Sequence, residues 1–183
     1  MFNPSMKSKI LLLFFVVSLA ELVAVALGME KLQWVFKPLI MIVLGVYYYT
    51  QSNNAQISKA VVAAIIFSWV GDVSLMFQSN DEVYFIIGLG AFLVAHVFYV
   101  LAYHQHIDKT EGAGLHGIQK FRFSLPIVLA GTGLITILYA HLGNLKIPVT
   151  LYAIVLMVMT LQALFRYGYT YIISFWFVFV GAL

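Results

Sequence analysis

The chain has 183 residues, of which 63% are hydrophobic, 16% aromatic and only 9% charged, with a formal charge of +3 and no cysteine. A soluble domain usually carries about 25% charged residues, and one with this balance would expose large apolar patches and aggregate. The missing cysteine excludes a disulfide framework and thiolate chemistry, and the small, scattered positive charge argues against nucleic acid as a partner. A lipid bilayer is the solvent that tolerates such a chain, and the length suits a single helical domain over residues 1–183.

Lys7 and Lys9 precede an apolar run over 10–27. That run lacks a small-x-small cleavage site, and more hydrophobic stretches follow at once, so it reads as a first transmembrane helix rather than a signal peptide. Runs of nearly spanning length recur over 32–49, 60–77, 83–103, 123–141 and 147–165, against a requirement of about 20 residues per span. A seventh run starts near Thr170 and reaches Leu183. It would cover about 21 Å of a hydrocarbon core about 30 Å thick, so the chain is expected to stop within this helix.

The longest polar stretch, His104 to Arg122, holds Asp108, Lys109, Glu111 and three glycines and reads as a flexible connector. His104 and His106 lie two apart in it, which is not a metal-ligand spacing, and neither metal nor cofactor is expected. The expected fold class is therefore all-α: a polytopic transmembrane helix bundle of six full spans and a truncated seventh.

Orientation follows from the basic residues of the loops. With the N-terminus inside, the inner side collects Lys7, Lys9, Lys59, Lys109, Lys120, Arg122 and Arg166, and the outer side Lys31, Lys37 and Lys146. Seven against three predicts a cytoplasmic N-terminus. The short loops favour a bacterial inner membrane over the endoplasmic reticulum.

Within the predicted spans the ionisable side chains are Glu21, Lys37, Asp72 and His96. Each costs roughly 2.5–3.5 kcal/mol at a helix centre on insertion scales and so needs a reason. By helix rise, Glu21, Lys37 and Asp72 all fall roughly 8–9 Å below the outer boundary, which predicts one charged layer drawn from three helices. His96 is deeper, about 20 Å along its helix. It shares a face with Phe85, Gly88, Phe92, Tyr99 and Tyr103, spaced by three or four residues. Gly88 and Gly90 predict close approach of a neighbouring helix. Ser68 lies one turn before Asp72, and Tyr152 and Met159, seven apart, share a face.

Ordinary structural readings exist for most of these. Lys37, beside Pro38, can snorkel to the interface with Glu21 as its partner. His96 can be a hydrogen-bonded packing residue, and Tyr99, Tyr152 and Met159 core. Asp72 is too short to snorkel far and follows Gly71 in an apolar run, so a functional role is expected for it.

At these residues the sequence resembles the lysoplasmalogenase family, the YhhN-like integral membrane proteins. The stretches that carry the resemblance are Trp34–Leu39, Phe67–Leu75, Gly88–Tyr99, Pro148–Tyr152 with Met159, and Phe179–Leu183. The resemblance implies about eight spans in the complete protein. It also implies cleavage of the vinyl ether bond of a lysophospholipid, a lysoplasmalogen, to a fatty aldehyde and glycerophosphocholine or glycerophosphoethanolamine. The family pattern continues past Gly-Ala-Leu to an aspartate, so the resemblance implies a second carboxylate beyond Leu183 and reads the chain to that point as an inactive fragment of an active protein.

Vinyl ethers break by protonation of the β-carbon and capture of the oxocarbenium ion by water. This needs a carboxylic acid still protonated near neutral pH, which a low-dielectric site supplies. Asp72 and His96 are then the expected catalytic residues, and Lys37, Ser68, Tyr99, Tyr152 and Glu21 the expected substrate-binding ones. A lysolipid would enter sideways among the membrane lipids, its chain between helices and its head group at the charged layer. Two other classes fit buried charges. One is a small transporter or channel with a charged relay, and the other a non-catalytic lipid-binding protein.

Overall fold

A computed structural model of the chain describes residues 4–51, 57–105 and 114–182. Among them there is no strand, and the elements are α1 (Pro4–Ala26), α2 (Glu30–Gln51), α3 (Lys59–Met76), α4 (Glu82–Gln105), α5 (Gly117–Tyr139), α6 (Lys146–Leu164) and α7 (Ile172–Ala182). Helices are what a chain this apolar must form in lipid, because each backbone N–H and C=O then finds its partner within the segment. Six of them are long and apolar enough to cross a membrane. The seventh, of 11 residues, is not. The chain is thus a multi-pass membrane protein of the expected all-helical class.

Boundaries differ from expectation in informative ways. Helix α5 begins at Gly117, six residues before the apolar run, because the polar residues Gln119, Lys120 and Arg122 form its first turns. The Gln119 Oε1 accepts a hydrogen bond from the His116 N–H at 3.0 Å, which helps to fix that start. Helix α4 runs on to Gln105, so His104 sits in its last turn rather than in a loop. His106, Asp108, Lys109, Glu111 and the connector expected around them lie outside the described residues, as does Leu183.

The turn between α1 and α2 is built by Gly28, whose φ of 66° is the left-handed conformation glycine adopts without strain. The Met29 N–H donates to the Ala24 carbonyl at 2.8 Å and the Gly28 N–H to Val25 at 3.1 Å. This is a Schellman ending, and it returns α2 directly against α1.

Contacts group the chain into two compact units, Met1–Ala95 and His96–Leu183. In the first, α2 packs on both α1 and α3. Its buried residues are mostly small, with Ala64 and Ala95 fully enclosed and Gly71, Gly88 and Ala91 beside them. Lipid tails are as apolar as side chains, so helices associate here through close van der Waals fit. A Cβ on Gly71 would stand 2.8 Å from the Phe92 ring, and one on Gly88 the same distance from Leu75. Gly90 meets nothing within 4 Å, contrary to expectation. Two residues on from Gly88 is about 200° around the helix, which turns it to the other face.

In the second unit α6 packs on α5 and α7. The Thr160 hydroxyl donates to the Ala182 carbonyl at 2.7 Å, tying α6 to the end of α7. Leu12, Phe15, Leu19 and Leu22 of α1 and Ile137 of α5 stand exposed, as lipid-facing side chains do.

Replacing Gly71 by Val should cost about 1–3 kcal/mol by overpacking. Gly90→Ala should change stability by no more than about 0.5 kcal/mol. Unfolding titrations in detergent would check both, and equal effects at the two glycines would contradict the close approach at Gly71.

Candidate functional site

The first unit holds Glu21, Lys37, Ser68 and Asp72; the second holds His96, Tyr99 and Tyr152. Glu21 of α1 is only 8% exposed, and its Oε2 is enclosed without a hydrogen-bond partner among the described residues. One turn earlier the Ser18 hydroxyl is in the same condition. Lys37, from the third turn of α2, lies within electrostatic range of both Glu21 and Asp72, and the two carboxyl groups sense each other. The layer expected from helix rise is present as a group of three interacting side chains from three helices.

The depths are less uniform than predicted. Helix α2 begins at Glu30 and α3 ends at Met76. Counted from these helix ends, Asp72 is about 6 Å in, Glu21 about 7 Å and Lys37 about 10 Å. The difference arises because the first turn of α2, with Glu30 and Lys31, is polar and extends the helix past the apolar boundary. Lys37 bridges that offset with its long side chain, whereas the carboxyl groups must be placed by their backbones.

Ser68 is buried one turn before Asp72 on α3. Trp69 lies between them, and its indole N–H is enclosed with no acceptor. Towards the nearer helix ends, the Trp34 ring meets Phe77 edge-on at 4.9 Å, and Phe77 contacts Tyr84 at 5.6 Å. These three rings form an aromatic layer above the charged one, at the height where such side chains favour the membrane interface. Sequence reasoning passed over Ser18 and Trp69. The available signal was helical spacing, since each precedes an intramembrane carboxylate by three residues.

In the second unit the His96 ring meets Tyr152 of α6 edge-on at 5.4 Å and Tyr99 at 6.5 Å. Tyr99 stacks with Tyr103 at 6.5 Å, and both pack around Met159. Tyr103 in turn carries the Arg166 guanidinium 5.3 Å from its ring centre. His96 and Tyr99 share a face as their spacing predicts, and Tyr152 of α6, which sequence spacing did not relate to them, joins them in an aromatic row that ends on a cation. Arg166 had been read only as a basic loop residue. Burial lowers its pKa, partly offset by Tyr103, and its Nε has no hydrogen-bond partner. Arginine nonetheless stays charged at any physiological pH.

Chemically, the first unit offers two carboxyl groups and one ammonium where water is scarce, with an unused indole donor beside them. That set can exchange protons and can bind a phosphate and an amine together.

The model of the YhhN family matches this chain over residues 32–183. No curated protein and no solved structure matches it.

If Lys37 and Asp72 interact as their placement indicates, Lys37→Met and Asp72→Asn should not be additive in stability. A double-mutant cycle in detergent should give a coupling of about 0.5–3 kcal/mol. Strict additivity would show that the two side chains do not share one site.

Proposed function

The chain belongs to the YhhN family, and on that footing we propose that it is a membrane hydrolase that cleaves the vinyl ether bond of lysoplasmalogens. The observation that carries this reading is the meeting of Glu21, Lys37 and Asp72 from three helices inside one unit. Each ionisable group at membrane depth is costly, so a cluster of three is hard to account for by packing alone.

Asp72 is one of the two carboxyl groups the reaction requires. A carboxylic acid delivers its proton to the β-carbon of the vinyl ether, and the electron pair of the double bond forms the new C–H bond. The resulting oxocarbenium ion is captured by water, which loses a proton to a carboxylate. The hemiacetal then collapses to a fatty aldehyde and the glycerol hydroxyl of the head-group product. A second carboxylate that stays ionised stabilises the cation and accepts the proton of water. Lys37 holds the phosphate of the lysolipid, and Glu21 and Ser68 line the head-group side.

The seven-against-three distribution of basic residues supports an N-terminus in the cytoplasm. Because the chain has no cysteine, single cysteines report its orientation cleanly. A cysteine at Ser79 should react with an impermeant maleimide from outside, and one at Gly168 only after permeabilisation. The reverse pattern would invert the topology.

The decisive assay incubates the protein from its full-length gene with a vinyl-ether lysolipid and with its saturated-ether and acyl counterparts. Aldehyde should appear from the vinyl ether alone, and Asp72→Asn should abolish turnover while the protein still inserts and folds. Near-normal turnover in that variant would remove Asp72 from the chemistry. No aldehyde at all from folded protein would favour a transporter or a lipid-binding role.

A further inference from the structure

In the second unit a groove of about 670 Å³ is left between α5 and α7, which both pack on α6. Gln119, Phe123, Ile127 and Ala130 of α5 form one wall, and Phe175 and Phe179 of α7 the other. From Gln119 to Ala130 the wall is about 16 Å long, the depth of one leaflet of a hydrocarbon core about 30 Å thick. Phe123 and Trp176 line the groove and are about half exposed, so it opens to the surrounding lipid. Lipid tails and groove walls are equally apolar, and the walls therefore do not choose among lipids.

The choice falls to charge at the mouth. Lys120 and Arg122 come from the same first turns of α5 as Gln119. At about 100° per residue they stand on either side of the groove-facing stripe, each roughly 80° from it. Lys120 is fixed at this end of the groove. Its Nζ lies 5.6 Å from the centre of the Phe165 ring, and Phe165 packs on Leu115, Leu164 and Phe175, all of which line the groove. Both cations have accessible surface, Lys120 being partly exposed and Arg122 exposed. Arg166, the residue after Phe165, adds a third positive charge at the end of α6. The described residues of this unit include no Asp or Glu, so none of them neutralises these cations. Asp108 and Glu111 lie outside the described residues.

We propose that this groove is a binding site for an anionic phospholipid, with one acyl chain lying along α5 and the phosphate held by Lys120 together with Arg122. Basic pockets between transmembrane helices recognise anionic head groups in this way. Gln119 and Tyr167, the polar residues of the lining, lie at the same end and meet the glycerol region. The seated chain fills the gap between α5 and α7. The site stands apart from Glu21, Lys37 and Asp72 and does not depend on the proposed reaction.

The test uses the protein from its full-length gene, reconstituted in phosphatidylcholine bilayers. The probes are phosphatidylglycerol and phosphatidylcholine brominated along their acyl chains, which quench tryptophan fluorescence on contact. Quenching of Trp176 is read as the difference from Trp176→Phe. It should be half complete at a several-fold lower mole fraction of brominated phosphatidylglycerol than of brominated phosphatidylcholine. Trp34, read in the same way in the first unit, should show no such preference. Lys120→Gln combined with Arg122→Gln should remove the preference at Trp176, and Lys120→Arg should keep it. High salt should weaken it.

Equal quenching of Trp176 by the two lipids would overturn the inference, and so would a preference that survives loss of both cations. A Trp176 that neither lipid quenches would also overturn it, because protein would then fill the groove. None of these readings depends on aldehyde release.

Discussion

The cost of placing ionisable side chains where there is no water governs how the first unit is put together. Glu21, Lys37 and Asp72 are contributed by separate helices, and none of them is tolerable alone at membrane depth. Brought within electrostatic range, the ammonium offsets the two carboxylates, and α1, α2 and α3 are held in one arrangement. Among the described residues the compensation is incomplete, since the Glu21 Oε2 and Ser18 Oγ find no hydrogen-bond partner there. Incomplete compensation is an expense that a purely structural bundle would have little cause to retain.

Close packing makes the arrangement possible. In lipid, helices gain nothing from hiding apolar surface, so their association depends on van der Waals fit. The small residues Ala64, Gly71, Gly88, Ala91 and Ala95 supply that fit, and they cluster around the helix that carries Asp72. The glycine immediately before Asp72 admits the Phe92 ring, which fixes the height and rotation of α3 there. Position of the carboxyl group and packing of its helix are thus consequences of the same residue pair.

Around this centre the rings are distributed by depth. Trp34, Phe77 and Tyr84 meet near the helix ends closest to the charged group. The second unit follows a different plan, with His96, Tyr99 and Tyr103 arrayed along α4 towards the Arg166 guanidinium.

The sequence by itself determined that the chain is a helical, multi-pass membrane protein, where its spans lie to within a few residues, and which side chains are too costly to be incidental. Those conclusions depend on composition and on runs of apolar residues, which act locally and need no knowledge of neighbours. It also placed Gly88 and the shared face of His96 and Tyr99 correctly, because a three- or four-residue period is itself a statement about helix faces, whereas the meeting of His96 with Tyr152 across two helices was not in it.

Only the tertiary structure decided that Gly90 meets no neighbour among the described residues, that α5 starts a turn and a half before its apolar run, and that Lys37 lies further from the end of its helix than its partners do. It alone showed that Trp69 and Ser18 are enclosed beside the carboxyl groups, and that Arg166 rests on an aromatic ring. The physical reason is that rotation and translation of one helix against the next are set by side-chain fit across the contact. Information of that kind is shared between distant segments and is written in neither of them alone.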